Sequence, residues 1–178
     1  MYYPHTNKTA VRSQELISAA VLRLLQKKAF QQITVTEICK EANVGRKTFY
    51  RNFEVKEDII AYQVDKLCAL YQEELRSIPI DDYLKHHFSF LQTHAAYFIT
   101  LYHNGLHSMV SQTFLTLLPD TMPIWTNDPI VQQYKSQYVI AGVEAIQRVW
   151  VERGFQESVE QIVAIVQSLQ EHQLPQLE

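Results

Sequence analysis

Glycine and proline are scarce in this sequence, at 4 and 6 of 178 residues. Sheets with many turns and low-complexity linkers need both, so a chain this poor in them is expected to be built of long helices. Cysteine is scarcer still. Cys39 and Cys68 are too few for a disulfide scaffold or a four-cysteine zinc site, and both fall on apolar helical faces, as small thiols of a reducing cytoplasm do. No apolar run approaches the ~20 residues that a membrane span needs. The opening Met-Tyr-Tyr-Pro-His has no basic region followed by an apolar stretch, so a signal peptide is not expected and a cytoplasmic location is. A Gly-x-Ser-x-Gly elbow, a phosphate loop and paired carboxylates on apolar helices are also missing. Neither an enzyme nor a cofactor is therefore expected.

Charge of either sign is absent from residues 86 to 118, whose polarity comes from five histidines (86, 87, 94, 103 and 107) and from neutral side chains. His103 and His107 are spaced to share a helix face, but no cysteine or carboxylate lies near enough in sequence to complete a metal site, and no metal is expected. The charge that is present is divided unevenly. Residues 1 to 60 hold ten Lys and Arg against six Asp and Glu, whereas residues 61 to 178 hold six against thirteen. A basic head on an acidic body is the balance of a protein whose head alone approaches nucleic acid.

Within the head, residues 1 to 10 read as a loose arm carrying Lys8, and residues 11 to about 28 as a first helix. Ile17, Ala20, Val21, Leu24 and Leu25 recur at its three- and four-residue spacing. Phe30 and Ile33 close a small core. Thr36 is a hydroxyl N-cap candidate for a second short helix, on which Ile38, Cys39 and Ala42 share a face. Asn43-Val44-Gly45 breaks that helix, because Asn and Gly tolerate turn backbone. A third helix opens at Arg46. Phe49 and Phe53 face inward, and Arg46, Lys47, Tyr50 and Arg51 are left outside. Three cations and a phenol on one short helix suit a DNA major groove, where cations meet phosphates and Arg or Lys reads guanine, although such a helix taken alone also fits a solvated basic turn on an ordinary helical domain. Lys56 stands where a fourth helix begins. The dipole there disfavours a cation; either an incoming phosphate relieves that tension or Lys56 is a surface lysine beside Glu57 and Asp58.

The ordered set Phe30, Thr34-Val-Thr36, Ile38, Ala42, Val44, Thr48-Phe-Tyr50, Phe53 and Lys56-Glu-Asp-Ile-Ile60 resembles the tetracycline-repressor (TetR/AcrR) family of bacterial transcriptional regulators over about residues 12 to 62. Asn43 stands where that pattern has Gly, Gly45 where it has Ser, and Ala29 where it has Gly. These departures bear on the target sequence more than on the fold. The resemblance implies an all-α protein with an N-terminal helix-turn-helix domain of three helices, residues 1 to 55, and a C-terminal helical ligand-binding and dimerisation domain, residues 56 to 178. It implies double-stranded DNA, a palindromic operator, as partner of Thr36, Arg46, Lys47, Thr48, Tyr50, Arg51 and Lys56. Repression relieved by a small ligand is the expected mode. The alternative is a helical module that binds a ligand or partner and has lost or altered DNA recognition, which a gel shift on the DNA flanking its gene discriminates.

In the body, a fourth helix to about Ser77 carries Ile60, Val64, Leu67 and Tyr71 on one face. Pro79 ends it, and Asp81-Asp82 is expected to cap the next. The uncharged stretch is too apolar for a solvated surface. Either it packs as a solid aromatic core or it encloses a chamber, lined by Tyr83, Phe90, His94, Phe98, Tyr102, His103, Phe114 and Trp125. The resemblance implies the chamber. With no fixed cation inside, the effector is expected to be largely apolar or aromatic. Two last helices, about 130 to 153 and 157 to 172, carry apolar stripes. Val139, Gly142, Ile146 and Val149 lie on one, and Val159, Ile162, Val163, Val166 and Leu169 on the other. The two helices could bury these stripes against each other, or pair with a second copy to make a four-helix dimer interface. The run from Tyr138 through Ala141-Gly142, Trp150, Gly154-Phe155 and Glu157-Ser158 to Leu169 resembles a TetR subgroup that includes regulators of dihydroxyacetone kinase genes.

Overall fold

Asn7 opens the chain's first helix, its side-chain oxygen accepting the Thr9 amide at 2.9 Å. A computed structural model describes residues 2–3, 7–108 and 126–171. They form α1 (Lys8–Leu25), α2 (Val35–Glu41), α3 (Arg46–Asn52), α4 (Glu57–Leu75), α5 (Tyr83–Thr93), α6 (Ala95–His103), α7 (Pro129–Glu152) and α8 (Val159–Glu171). Single 3-10 turns lie at Phe30–Gln32 and Ile80–Asp82. Among the described residues there is no strand, only an isolated antiparallel bridge between Tyr2 and Phe53. The fold is all-α, as expected. Phe114 and Trp125 lie outside the described residues.

The head folds as its pattern requires. Ile17, Ala20 and Val21 of α1 meet Ile38 of α2 and Phe49 and Phe53 at α3, all buried. The cap of α2 differs from the expected one. Thr34, not Thr36, accepts the Glu37 amide, and the Glu37 carboxylate accepts the Thr34 amide at 2.9 Å. Thr34 is three residues from Glu37, so both unsatisfied amides find a partner in a reciprocal box, which Thr36, already inside the first turn, cannot form. Lys28 and Thr34 together hold the Glu37 carboxyl down to about 2. At the turn, Asn43 takes the left-handed backbone (φ 52°), while Gly45 does not need it (φ −76°). A short polar side chain tolerates that region, so Asn43 does the work of the Gly in the family pattern.

The arm differs too: Tyr2 and Tyr3 are docked, not loose. Gln14 donates to the Tyr3 carbonyl at 2.8 Å, and the Tyr2 hydroxyl donates to Asp65 at 2.8 Å. Burial, with Asp65 beside it, pushes the Tyr2 phenol up to about 12.

The core continues without a break from head to body along α4, through Ile59, Ile60, Val64, Cys68 and Tyr71. α5 packs on α8, and α6 on α7. Asp82 stands at the N-cap of α5 but makes no side-chain cap bond, contrary to the role expected of Asp81-Asp82. His94 divides the uncharged stretch into α5 and α6, and Gly105 (φ 69°) follows α6. Between α7 and α8 the backbone is left-handed at Gly154 and again at Phe155 (φ 60°), an unfavourable place for a bulky side chain. Its ring packs 4.6 Å from that of Trp150 and its amide donates to the Trp150 carbonyl at 2.9 Å, which offsets the strain.

Candidate DNA-binding surface and effector region

Two buried rings seat α3. Phe49 and Phe53 have no exposure and contact each other at 6.0 Å, so the opposite side of a seven-residue helix must face outward. That side carries Arg46, Lys47, Tyr50 and Arg51, all exposed, with Tyr50 47% exposed. Thr48 is half-buried, and its carbonyl accepts the Asn52 amide group at 2.7 Å. Thr36 is exposed on the first turn of α2. No acid lies in the first turn of α3, and neither Arg46 nor Lys47 has an ion-pair partner among the described residues. Other head cations are spent internally, Arg23 on Glu41 and Lys28 on Glu37. What remains is a surface of positive charge with a phenol beside it.

Lys56 departs from its expected phosphate contact. Its ammonium donates to the carbonyls of Phe30 (2.8 Å), Gln31 (3.2 Å) and Ile33 (2.9 Å), and lies 4.7 Å from the centre of the Phe30 ring. An ammonium has three protons, and three carbonyls use them. The tension expected of a cation at a helix start is thus relieved by the carbonyl ends of the 3-10 turn. The same turn is held from the other side, where the Phe30 amide donates to the Asn104 side chain at 3.1 Å. Phe30–Gln32 therefore joins the head to the start of α4 and to the end of α6.

In the body, Phe90, Phe98 and Tyr102 are buried together. Tyr83 is partly buried, and the His94 ring lies tilted against Phe90 with centroids 4.5 Å apart. His103 is exposed, which removes it from any interior lining; Asn104 and Gly105 turn the chain directly after it. Lys85 points outward to Glu160 at 3.8 Å. A buried polar chain, which no spacing in the sequence marks as a whole, links α4, α5, α6 and α7. His87 Nε2 meets Gln147 Oε1 at 3.1 Å, His87 Nδ1 meets the Tyr71 hydroxyl at 3.3 Å, and Gln147 donates to the Tyr102 hydroxyl at 3.3 Å. Oε1 only accepts, so Nε2 carries the imidazole proton and Nδ1 accepts from Tyr71. Burial pushes the His87 pKa down to about 4, against the opposing Gln147 bond. For His87 the signal was present: it lies three and four residues before Phe90 and Leu91, on the inner face of α5. Tyr97 was missed as well. Its hydroxyl is buried with no partner among the described residues.

The expected dimer stripe divides in two. Val159, Ile162 and Val166 are buried within the chain, the last two at 4% and 2% exposure, and so are unavailable to a partner. Val139, Ile146 and Val163 are partly buried against the same core. Gly142, Val149 and Leu169 are exposed, as are Tyr134 (75% exposed), Tyr138 (64%) and Ile165, which lie outside the expected stripe. Stripes read from spacing alone cannot separate the two faces of a helix that is apolar on both.

A helix-turn-helix head whose second helix turns cations outward is joined by a long helix to a helical body. Residues 16–62 match the bacterial regulatory proteins of the tetR family. That match covers the head and the start of α4. The chain is 33% identical over 55 residues to the HTH-type dhaKLM operon transcriptional activator DhaS of Lactococcus lactis, covering 31% of this chain and 29% of that one. It is 30% identical over 64 residues to the HTH-type transcriptional regulator YxbF of Bacillus subtilis, 35% of this chain and 17% of that one. The match thus spans less than a third of the length of either relative. Among solved structures, a TetR transcriptional regulator from Streptococcus agalactiae superposes with a TM-score of 0.71 at 19% identity, over 91% of this chain and 95% of that one. The dihydroxyacetone kinase operon activator DhaS superposes at 0.58 and 19% identity, over 88% and 93%. No helix among the described residues is long and apolar enough to cross a membrane.

Proposed function

We propose that this protein is a dimeric regulator that reads a palindromic DNA site through α3 and gives it up when its body binds a small, largely apolar molecule. The observation that carries the reading is the outward face of α3, where Arg46, Lys47, Tyr50 and Arg51 stand over a rigid pair of buried phenylalanines. Arg46 and Lys47 read base edges, Tyr50 and Thr48 meet the backbone, and Thr36 approaches it from α2. Residues 1 to 55 form the DNA-reading part and the remainder senses and dimerises. The dimer closes on the exposed stripe of Tyr134, Tyr138, Gly142, Val149, Ile165 and Leu169. The effector sits among Tyr83, Phe90, His94, Phe98 and Tyr102, with the Tyr97 hydroxyl as its hydrogen-bond partner. Its message passes from α6 through Asn104 and the Phe30 turn to the head.

Repression is the mode we assign. The matched Lactococcus protein is named as an activator, and its likeness to this chain lies in a limited stretch, so reporter expression in a deletion strain decides the sign. The binding reading is tested by gel shift on the DNA flanking the gene, with random DNA as competitor and salt varied. Specific retardation that weakens steeply with salt supports it. Retardation equal on all sequences, or none, would leave a helical module that does not read DNA.

A further inference from the structure

The recognition helix is held at its C-terminal end by residues that no part of the DNA reading uses. The Tyr3 amide donates to the Asn52 carbonyl at 3.1 Å, satisfying a carbonyl that the end of α3 leaves without an intrahelical donor. Beside it, Tyr2 forms the antiparallel bridge to Phe53. Gln14, buried on α1, holds the Tyr3 carbonyl at 2.8 Å. Tyr2 then reaches α4 twice, through its hydroxyl to Asp65 at 2.8 Å and through its ring, edge-on to Tyr62 at 5.4 Å. Tyr62 in turn lies 5.8 Å from Phe53, which lies 6.0 Å from Phe49. A continuous row of rings thus runs from the arm through α4 to the underside of α3.

We propose that Tyr2 and Tyr3 are positioning residues for DNA recognition: they strap the end of α3 to α1 and α4 and so set the angle at which the reading face is presented. The inference rests on the reading of α3 as the DNA-binding helix. Tyr2 carries no charge and its hydroxyl is engaged by Asp65, so the arm acts through α3 and not through a phosphate. A small change of tilt moves base-reading side chains out of register while leaving diffuse electrostatic attraction intact. Specific binding should therefore suffer more than non-specific binding.

The test compares wild type with Tyr2→Ala, Tyr2→Phe and Gln14→Met in the full chain. Fluorescence anisotropy gives affinity for the best operator and for random DNA across a salt series, and hydrogen exchange reports the amides at the end of α3. We expect Tyr2→Ala to weaken operator binding by about tenfold, the scale of one lost side-chain anchor, with random DNA and the salt slope nearly unchanged. Amides of residues 50 to 53 should exchange faster, the dimer should persist, and Tyr2→Phe, which keeps the ring, should recover most of the loss. Equal loss on both DNAs with a shallower salt slope would make the arm a DNA contact and overturn the proposal. Unchanged exchange in α3 would overturn it whether or not DNA binds. If wild type binds no DNA but exchange quickens in Tyr2→Ala, the strap stands and the DNA reading alone fails.

Discussion

His87 is the residue whose chemistry departs furthest from its ordinary state. In the unfolded chain it titrates near 6.5, and in the folded body near 4. Between those values the unfolded chain holds the proton more readily. Stability from keeping His87 neutral is fully present above about pH 6.5 and is lost as pH falls toward 4, on the order of 3 kcal/mol in all. Chemical denaturation at pH 7 and pH 5 should show the body losing stability on acidification, and His87→Gln should flatten that loss. An equally steep loss in the variant would assign it to other groups. Tyr97 makes the opposite case. A buried hydroxyl without a partner costs about 1–3 kcal/mol. Tyr97→Phe should therefore raise the melting temperature while weakening the response to an effector that uses the hydroxyl. A variant that melts higher and still responds like wild type would remove Tyr97 from the effector contacts.

At the scale of the element, α3 begins poorly. Gly45 caps it without a side chain, and a Cβ placed there meets nothing within 4 Å. Gly45→Ser has room and an allowed backbone, adds a capping hydroxyl and restricts the unfolded chain. It should stabilise the head by about 0.5–1 kcal/mol in urea denaturation. No gain would mean that the hydroxyl does not reach the Lys47 or Thr48 amide. The carbonyls of Phe30, Gln31 and Ile33 share a single ammonium. Lys56→Met keeps the aliphatic stem and removes this donor from the Gln31 and Ile33 carbonyls, while the Phe30 carbonyl keeps the Ile33 amide, so the head should lose about 1–3 kcal/mol. The salt slope of DNA binding should be unchanged. A slope lower by about one would restore Lys56 to the phosphate contacts.

For the whole molecule, the decisive surface is the one left bare along α7 and α8. Gly142 is exposed, and an added Cβ meets nothing within 4 Å, so the single chain accommodates a large side chain there. Glycine inside a helix costs about 1 kcal/mol relative to a good helix former, so Gly142→Arg should not harm the isolated chain. If this stripe is the dimer contact, the same change sets two cations against each other across it. Light scattering should then find monomers, with specific DNA binding lost because two half-sites are no longer read together. A variant that remains dimeric would move the interface elsewhere.

The head was legible in the sequence because its signals are local. Spacing of three and four fixes which side of α1 and α3 is buried, and a turn residue between them leaves few geometries, so Phe49 and Phe53 inward already imply Arg46, Lys47 and Tyr50 outward. Within the uncharged run, the buried Phe88, Phe90, Leu91, Phe98 and Leu101 agree with the interior that its lack of charge implied. Three things were settled only by tertiary contact. Lys56 sits at a helix start in the sequence, but the carbonyls that bind it belong to a turn some 23 to 26 residues earlier. Tyr2 and Tyr3 carry no periodic signal, and their partners Asn52, Phe53, Tyr62 and Asp65 are remote in the chain. Helices α7 and α8 are apolar on more than one side, and only packing against α5 and α6 decides that Ile162 and Val166 turn inward while Tyr138 and Val149 stay outside. Hydrophobic burial has no direction of its own; the neighbouring elements supply it.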